Sequence, residues 1–404
     1  MNPTLATFLE HAGLADVPRG DGRPAAAPVR PLAPPAAAAP LTVLVLEGDY
    51  RLTGAVLFCL SRQAGVRVHL LARDPLSPYR FSGYVRKFHL LAPDRSEVEF
   101  VAFAQQTARR TKADVLLPVD VAGMRFVLAH RAALATACRL LPLPEAAYYE
   151  IATDKGLLGA FMQQHHIPAP DTIVDIWHNL PAQLDDFRFP VLLKPIEGSG
   201  GRGIVRYATR EALLAAVAAL PVGSRYVIQT CIEGYDIDCN VLYHDGQLVA
   251  HSMQKGLVAA AEAYAPTEAI EFVHHDAVLT VVDGLMRALH WNGVAHLDLR
   301  YDTRTGQIKV IEINTRFWLT VVGSALAAGV NFPVLACQVA AGRPVAPVPF
   351  REGRYIPFAN YLRHRFGRRP RRPDDVRFAL RDTSVRAFLG DPLTKIYRFL
   401  TDKD

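Results

Sequence analysis

Short apolar runs alternate with longer amphipathic segments between residue 41 and about residue 150. Runs of this length are typical of buried parallel strands, whereas the longer segments have the spacing of helices. The predicted strands cover 42–47, 66–71, 87–91 and 115–119, and the predicted helices cover 52–63, 97–111 and 126–136. This alternation predicts an α/β domain with a parallel sheet over residues 41–150.

The pattern changes near residue 151, because a glycine-rich turn and several hairpin-like connections now separate the strands. The predicted strands cover 189–195, 203–207, 226–229, 236–243, 247–253, 295–300 and 308–313, and the predicted helices cover 155–165, 210–220, 275–290 and 320–341. We interpret these elements as a small α+β unit over 151–228 and a larger one over 229–350.

Both ends of the chain differ from this body. Residues 1–40 contain a proline- and alanine-rich tract after residue 20, which predicts an extended linker, and a short helix is predicted at Thr4–Leu14. Residues 351–404 form a C-terminal extension. Its last apolar positions follow helical spacing, so we expect a helix that packs on the body through Leu393, Ile396, Tyr397 and Leu400.

The positive charge is confined to the C-terminal extension. From Arg351 onward there are 14 Lys and Arg against 7 Asp and Glu, which leaves 31 against 32 in the preceding 350 residues. A nearly neutral body argues against nucleic acid as a partner. The cationic stretch 363–372 is interpreted either as a solvated linker or as a site for an anionic partner, such as a phosphorylated or acidic protein or a membrane surface.

Neither a transmembrane segment nor a secretory signal is predicted. No apolar run reaches the roughly 18–20 residues that a spanning helix needs, and the N-terminus lacks a basic segment followed by an apolar one. The five cysteines are scattered without a Cys-x-x-Cys pair. Reduced thiols of this kind are typical of cytoplasmic proteins, so we expect a cytoplasmic location.

A glycine-rich loop lies between two predicted strands at Gly198–Gly203. It fits G-x-G-x-x-G, but a dinucleotide fingerprint requires a helix after the loop, and here the strand-like run 204–207 follows. It also lacks the Gly-Lys-Ser/Thr of a phosphate-binding P-loop, and no kinase motif follows. A glycine-rich hairpin can close its backbone N–H groups over phosphate oxygens, and an ordinary flexible hairpin is the alternative.

Two lysines flank this loop in the sequence. Lys194 ends the strand that enters the loop, and Lys155 begins a helix about 40 residues earlier. Lysines near a phosphate-binding loop can offset phosphate charge as point cations. Each of them taken alone is more commonly a surface residue, so the combination carries the prediction.

Acidic side chains interrupt two apolar strands that a turn-rich connection joins. Alternate residues of a strand share a face, so Asp298 lies on the face of His296, and Glu312 lies on that of Asn314. Pairing of the two strands would bring these faces together. Carboxylate and amide oxygens are ligands suited to Mg²⁺ held against phosphates. A hairpin with a polar solvent face is the alternative.

The order of these motifs resembles the ATP-grasp superfamily over residues 41–350. The matching motifs are Asp154-Lys155, Leu192-Leu193-Lys194-Pro195 with the glycine-rich hairpin, Ile228-Gln229 with Ile232 and Gly234, Asp298, and Glu312-x-Asn314-x-Arg316. The run from Arg316 to Pro333 is similar to ATP-dependent carboxylate–amine ligases and to carbamoyl-phosphate-synthase-like members. The resemblance implies an N-terminal parallel-sheet domain, a small lid and a larger domain, with ATP between the last two.

The resemblance also implies roles for individual residues. Phosphates would contact Lys155, Lys194 and the loop residues Gly198, Ser199, Gly200, Gly201 and Gly203. The adenosine would contact Gln229, Cys231, Ile232 and Asp236, with Cys231 and Ile232 acting mainly through backbone groups. Mg²⁺ or Mn²⁺ would bind Asp298, Glu312 and Asn314, and the reacting groups would face Arg316, His296 and Lys255. A surface position is an equal alternative for Lys255.

Three positions depart from the family pattern. The adenine stretch has Gln229 and Thr230 where a carboxylate is common, Thr315 replaces a usual proline, and His296 stands where some members have a cation. The first departure bears on the preference for adenine, and the second on the local turn. The charge of His296 depends on its surroundings.

The resemblance implies a ligase that activates a substrate carboxylate as an acyl phosphate, which an amine then attacks. A bicarbonate-activating carboxylase shares the same motifs and is one alternative, and a nucleotide-binding protein without turnover is another. Carboxylate and amine substrates are therefore the expected small-molecule partners. Their identity and the oligomeric state, with a homodimer among the options, stay open at this point.

Overall fold

The computed structural model describes residues 40–196, 200–260, 264–367 and 376–401. Three predictions lie outside these residues. They are the helix at Thr4–Leu14 with the linker up to residue 39, the loop residues Gly198 and Ser199, and the second half of the cationic stretch, 368–372.

A five-stranded parallel sheet forms the N-terminal unit, as predicted. Its strands are β1 (Leu41–Leu46), β2 (Val66–Ala72), β3 (Lys87–Leu90), β4 (Val115–Pro118) and β5 (Arg139–Leu140), and its helices are Tyr50–Ser61, Glu97–Thr111, Val121–Ala129, Arg131–Ala135 and Ala146–Thr153. The strand order is β3-β2-β1-β4-β5, so the order reverses between β1 and β4. Crevices at the carboxyl ends of strands flanking such a reversal are common ligand sites.

One predicted helix of this unit is wrong. The segment 126–136 is two helices that meet at His130, and the first of them begins five residues earlier, at Val121. Asp120 explains the early start, because its carboxylate accepts the backbone N–H of Gly123 and caps the helix.

The second unit is a small antiparallel sheet with its own core. Its strands are β6 (Thr172–Ile173), β7 (Val191–Pro195), β8 (Val205–Tyr207) and β9 (Tyr226–Thr230), in the order β6-β9-β7-β8, and its helices are Leu180–Gln183 and Arg210–Ala218. The helix Lys155–Gln164 precedes them. Nine buried apolar residues form this core: Ile173, Ile176, Leu180, Leu184, Val191, Leu193, Leu213, Val217 and Ile228. We refer to this unit as the lid sheet.

The third unit is a six-stranded antiparallel sheet, which we call the large sheet. Its strands are β10 (Gly234–His244), β11 (Gln247–Val258), β12 (Ala269–Phe272), β13 (Gly293–Asp302), β14 (Gln307–Asn314) and β15 (Gly353–Tyr355), in the order β14-β13-β10-β11-β12-β15. The helix Asp276–Ala288 buries its apolar face, including Val278, Val282 and Leu285. The sequence analysis did not predict β12 and β15.

The prediction of one helix over 320–341 is also wrong, because three separate helical segments lie in this range. The parts are Val321–Gly323, a π-helical turn at Ser324–Ala328, and Phe332–Ala340. Gly329 has φ 80°, which ends the first run, and the side chain of Asn331 caps the last helix. No single helix of the described ranges is long and apolar enough to cross a membrane; Val321–Ala328 and Phe332–Ala340 pass that test together, but they are bent by 98° and mostly buried.

The C-terminal extension contains the helices Phe358–Phe366, Val385–Leu389 and Pro392–Thr401. The last helix packs on the N-terminal unit, where Tyr397 contacts Phe81 with ring centroids 5.1 Å apart, and Thr394 is buried. The prediction that its apolar spacing marks the packed face is wrong for three of the four residues. Leu393, Ile396 and Leu400 are 60%, 55% and 73% exposed, because the polar face of the helix is turned inward.

Candidate functional site

The acidic hairpin is formed by β13 and β14. Their register pairs Asp298 with Glu312 and His296 with Asn314. The neighbouring apolar residues Leu297 and Ile313 are buried, so strand alternation turns the polar side chains to one face. That face carries the residues that the sequence analysis assigned to the metal.

Hydrogen bonds connect these side chains. The amide nitrogen of Asn314 donates to Asp298 Oδ2 at 3.1 Å, and Arg316 Nη2 donates to Asn314 Oδ1 at 3.3 Å. Arg316 also donates to the carbonyl of Phe317 at 2.7 Å. The guanidinium is therefore held at the end of the hairpin, close to the carboxylates.

Both predicted lysines reach this hairpin. Lys155 Nζ lies 3.5 Å from Glu312 Oε2 and donates to the carbonyl of Ile196 at 3.3 Å. Lys194 ends β7 and is 7% exposed. Burial lowers its pKa to about 8, although the nearby Glu312 carboxylate favours the charged form. An ammonium in this position would be stabilised by an added phosphate.

A third carboxylate, Asp238, joins the hairpin from β10, where it pairs with Asp298. One ligand atom from each of Asp238, His296 and Asp298 lies within 4.8 Å of the others. Gln254 Nε2 donates to Asp238 Oδ2 at 3.1 Å. The sequence analysis missed Asp238; the available signal was polar alternation through Asp236, Asp238 and Asn240 in an apolar strand.

The carboxylates of Asp238, Asp298 and Glu312 repel one another where they are largely buried from water. Burial raises the pKa of Glu312 to about 7, and the charge of Asp298 adds to this. Burial and Asp298 likewise raise the pKa of Asp238 to about 7. The pKa of Asp298 itself is lowered: burial opposes ionisation, but the charge and hydrogen bond of His296 outweigh it.

His296 is held as a partner of Asp298. Its Nε2 lies 2.8 Å from Asp298 Oδ1, its Nδ1 lies 2.7 Å from Asn240 Oδ1, and its ring stacks on Trp318. Burial opposes protonation, but the carboxylate of Asp298 raises the pKa of His296 above its usual value. The pairing with Asp298 therefore favours the charged form of His296, in the position where some family members have a cation.

This donor set suits a divalent cation. Hard oxygen ligands from Asp298, Glu312 and Asn314 converge on one face. Burial and the charge of Asp298 raise the pKa of Glu312, so a bound cation would favour its ionised form. Mg²⁺ and Mn²⁺ bind carboxylate and amide oxygens together with substrate phosphates. The residues that are present therefore fit the metal that the sequence analysis implied.

The glycine-rich loop joins the antiparallel strands β7 and β8, which pair through Val191 and Tyr207. Gly200, Gly201 and Gly203 all have φ between 68° and 76°, the left-handed region that favours glycine. A Cβ at Gly201 would overlap the backbone carbonyl of Tyr264. The loop therefore needs glycine at Gly200, Gly201 and Gly203 for their backbone conformation. At Gly201 it also needs glycine because the backbone of Tyr264 lies so close.

The stretch assigned to adenosine runs from the end of β9 to the start of β10. Gln229 is buried, and its amide nitrogen donates to Thr172 Oγ1 at 3.2 Å, whereas its Oε1 has no protein partner among the described residues. Cys231 N–H already donates to the carbonyl of Pro190 at 3.0 Å, and the carbonyl of Ile232 accepts from Arg300 at 2.9 Å. The Cys231 N–H is therefore engaged within the protein, whereas the Ile232 carbonyl has a second lone pair that a ligand could use.

Two predicted residues have partners of their own. Asp236 accepts from Arg300 Nη1 at 2.5 Å, so a ribose hydroxyl would have to share that carboxylate. Lys255 Nζ lies 4.2 Å from the centroid of the Tyr235 ring, the distance of a cation–π contact. The sequence analysis did not single out Arg300, which also donates to the carbonyl of Gly234.

The hairpin is tied to the N-terminal unit through Thr315. Tyr149 Oη donates to the carbonyl of Thr315 at 3.1 Å, and the hydroxyls of Thr153 and Thr315 lie 3.0 Å apart. A proline at position 315 could supply the carbonyl that Tyr149 contacts, but not the hydroxyl that Thr153 contacts. The departure at Thr315 therefore adds one polar contact between the two units.

Comparisons with known proteins agree with this architecture. Residues 152–320 match the family model described as the ATP-grasp domain. The vancomycin C-type resistance protein VanC1 of Enterococcus gallinarum is 30% identical over 163 residues, which are 36% of this chain and 47% of that protein. D-aspartate ligase of Enterococcus faecium is 23% identical over 289 residues, 63% of this chain and 68% of the ligase. The chain thus spans about half the length of the first of these relatives.

Solved structures give the same fold. An L-amino acid ligase from Bacillus licheniformis has a TM-score of 0.57 and 20% identity, covering 79% of this chain and 80% of that one. N5-carboxyaminoimidazole synthetase from Staphylococcus aureus, complexed with ADP, has a TM-score of 0.61 and 13% identity, covering 79% of this chain and 82% of that one. At these identities the likeness concerns the fold alone.

Proposed function

We propose that this chain is an ATP- and Mg²⁺-dependent ligase that joins a carboxylate to an amine, in keeping with the match of residues 152–320 to the ATP-grasp domain model. The observation that carries the proposal is the convergence of Asp298, Glu312 and Asn314 with Lys155 and Lys194 around one face of the hairpin. Oxygen ligands for a metal beside cations for phosphate are the combination that Mg-ATP requires.

The reaction has two steps. An oxygen of the substrate carboxylate attacks the γ-phosphorus of ATP, and the bond from that phosphorus to the β–γ bridging oxygen breaks, so ADP leaves and an acyl phosphate forms. The neutral amine then attacks the carbonyl carbon; the C–N bond forms, the C–O bond to phosphate breaks, and the nitrogen loses a proton to solvent. Neither step needs a covalent intermediate with the protein.

The protein positions charge for the first step. We assign Lys155 and Lys194 to the ATP phosphates, which both side chains can reach from the helix start and from the end of β7. The cation of Arg316 would stabilise the negative charge on the transferring phosphoryl group. Bound Mg²⁺ or Mn²⁺ would offset charge on the phosphate oxygens, held by Asp298, Glu312 and Asn314.

The lid sheet and the adenosine stretch complete the proposed site. We assign Gly198–Gly203 to closure over the phosphates, which would keep water from the acyl phosphate. Gln229, Cys231, Ile232 and Asp236 stay assigned to the adenosine, and the orphaned Oε1 of Gln229 supports this because it can accept from an exocyclic amine.

We also propose domain boundaries and a location. The separate core of the lid sheet supports a lid at 151–228, between an N-terminal domain at 41–150 and a larger domain at 229–350. The five cysteines are all free thiols, which supports a cytoplasmic location.

The test is release of ADP and phosphate in the presence of ATP, Mg²⁺ and panels of carboxylates, each with and without amines. Hydroxylamine should trap an acyl phosphate as a hydroxamate, whatever amine is native. Glu312→Gln should abolish the signal, whereas Glu271→Gln, on β12 of the same sheet, should not. ADP release that requires bicarbonate alone would identify a carboxylase instead, and the absence of ADP release from the whole panel would refute the ligase proposal.

A further inference from the structure

The helix Pro392–Thr401 is anchored on the N-terminal unit by its polar side. The carboxylate of Asp391, at the start of this helix, accepts from the hydroxyl of Ser82 at 2.6 Å and from the N–H of Gly83 at 3.0 Å. Thr394 is buried, and its hydroxyl donates to the carbonyl of Asp391 at 2.8 Å. Together with the aromatic contact described above, these bonds fix which side of the helix faces solvent.

Three apolar residues are left on the solvent side of this helix. Leu393, Ile396 and Leu400, which we call the apolar row, are separated by three and four residues, so they share one helix face. All three are more than half exposed, and Leu389, at the end of the preceding helix Val385–Leu389, is 66% exposed. A helix that packs on a soluble core ordinarily turns such a row inward. Large apolar patches on a surface commonly mark a site of interaction.

Two neighbouring helices extend this surface. Lys395 Nζ lies 5.9 Å from the centroid of the Phe388 ring, and Phe388 contacts Phe358 with ring centroids 5.1 Å apart. Phe358 begins the helix Phe358–Phe366, whose last residue, Phe366, is exposed. Direct contacts therefore connect the three helices of the extension, and each of them presents at least one large apolar side chain to solvent.

The same extension carries the excess positive charge of the chain, with 14 Lys and Arg against 7 Asp and Glu. Arg377, Arg381 and Arg386 are exposed. Among the described residues between Arg377 and the end of the last helix, the acids are Asp382, which lies 3.8 Å from Arg381, and the buried Asp391. The exposed surface of the extension is therefore both apolar and cationic.

A lipid bilayer with anionic headgroups fits both properties. A second copy of the chain would bring together two extensions of the same positive charge, which like-charge repulsion opposes. Residues 1–39 contain three acidic and three basic residues, so they offer the cations no net negative charge. Helices that lie in a membrane surface combine an apolar face at the boundary of headgroups and acyl chains with cations beside anionic headgroups.

We propose that the C-terminal extension is an attachment surface for an anionic lipid bilayer. The apolar row enters the boundary of headgroups and acyl chains, and the arginines contact the headgroups. Neither signal is strong alone, but an apolar face and several cations together give stable, reversible attachment. The proposal is independent of the ligase function, because none of the residues assigned to ATP, metal or substrate belongs to the extension.

Vesicle flotation with the full chain tests the proposal. One set of vesicles contains phosphatidylcholine alone, and the other contains about 30% phosphatidylglycerol, which makes the surface anionic. We expect at least about tenfold tighter binding to the anionic vesicles, weakened by added salt. Equal binding to both sets, or binding to neither, would overturn the proposal.

A pair of substitutions tests the apolar row. Leu393→Gln combined with Ile396→Gln removes two apolar side chains without changing the charge, and should weaken binding to the anionic vesicles by at least about tenfold. Val98→Gln combined with Val222→Gln is the matched control, because both valines are exposed outside the extension. Thermal melting confirms that each protein folds. Undiminished binding by the folded Leu393→Gln, Ile396→Gln protein would refute the role of the row.

A second pair tests the cations. Arg381→Gln combined with Arg386→Gln should weaken binding to the anionic vesicles about tenfold. Arg51→Gln combined with Arg67→Gln removes two exposed arginines of the N-terminal unit and should change binding little. Equal losses in the two pairs would mean that the net charge of the chain, rather than this surface, attracts the vesicles, and would overturn the proposal.

Sedimentation velocity distinguishes the bilayer from a second copy of the chain. We expect the Leu393→Gln, Ile396→Gln protein to have the same oligomeric state as the wild type. A wild-type dimer that these substitutions dissociate, without any binding to vesicles, would overturn the proposal in favour of self-association.

Discussion

Two groups of carboxylates in this chain differ in the partners around them. The hairpin group of Asp298, Glu312 and Asp238 lies beside Lys155, Lys194 and His296. At the carboxyl ends of β1, β2 and β4, Glu47 accepts from Ser77, Asp74 accepts from Tyr50, and Asp120 accepts from the N–H groups of Asp49 and Gly123.

The contrast separates two kinds of site that residue type alone does not distinguish. Carboxylates mixed with buried cations suit a ligand that carries both charges, such as a metal bound to phosphates. Carboxylates that accept from the protein's own hydroxyl and backbone N–H groups instead stabilise the local fold. The partners of the acids, rather than the acids themselves, therefore distinguish the two groups.

The largest expected effect is at the hairpin. Glu312→Gln removes a negative ligand at the centre of the group, and we expect ADP formation to fall by at least about 100-fold. Steady-state ADP release at varied Mg²⁺ measures this. Glu271→Gln is the matched control, and equal losses in both variants would show that the hairpin group has no special role.

The next effect concerns the cations that define the contrast. Lys194→Met keeps much of the buried side-chain volume but removes the charge, so we expect the KM for ATP to rise about tenfold to a hundredfold. Lys87→Met, an exposed position on β3, is the control. An unchanged KM for ATP would remove Lys194 from the phosphate site.

A pH dependence of stability follows from the raised pKa of Glu312. Folding raises this pKa from 4.5 to about 7, so the folded protein holds the proton more strongly than the unfolded chain does. The resulting stabilisation is complete below pH 4.5 and is lost as the pH rises through 7. Above pH 7, without metal, Glu312→Gln should therefore melt about 2–4 °C higher than the wild type.

Calorimetry at several pH values, with and without Mg²⁺, measures this difference. Added Mg²⁺ should stabilise only the wild type at pH 8, because the ionised carboxylate is its ligand. Glu145→Gln, an exposed carboxylate, serves as the reference. A difference between wild type and Glu312→Gln that is the same at pH 5 and pH 8 would contradict the assigned shift.

The smallest expected effect concerns the Asp120 carboxylate, which caps the helix Val121–Ala129. A Cβ at Gly48 would overlap the carboxylate of Asp120, so Gly48→Ala should displace that cap and cost about 1 kcal/mol of unfolding free energy. Urea unfolding measures the cost. Gly83→Ala, where a Cβ meets no atom within 4 Å, should be nearly neutral. Equal stabilities of the two variants would mean that the Asp120 cap is not rigid.

Patterns within short stretches of sequence predicted much of the fold. The helix Glu97–Thr111 was predicted to the residue, and its start carries a capping box formed by Ser96 and Glu99. The strand alternation at Asp298 and Glu312 placed both carboxylates on one face before their register was known. Such features depend on a few neighbouring residues, so the sequence contains them explicitly.

Features that depend on distant residues were missed or wrong. Asp238 joins the hairpin only through the register of β10 against β13, which its own strand does not reveal. Glu47, Asp74 and Asp120 likewise lie near one another only because the ends of β1, β2 and β4 are neighbours in the sheet. The apolar spacing of Pro392–Thr401 predicted a helix but not which face would pack.

The separate core of the lid sheet has a consequence for how the molecule opens. Its buried residues form a cluster apart from the continuous core that the other two units share, so the lid can unfold or swing without breaking that core. Amide hydrogens of residues 191–194 should accordingly exchange with solvent deuterium faster than those of Leu41–Leu46, by a local opening. Bound nucleotide should slow exchange in β7 towards the rate of β1. Deuterium uptake by β7 can therefore report occupancy of the site without any knowledge of the substrates.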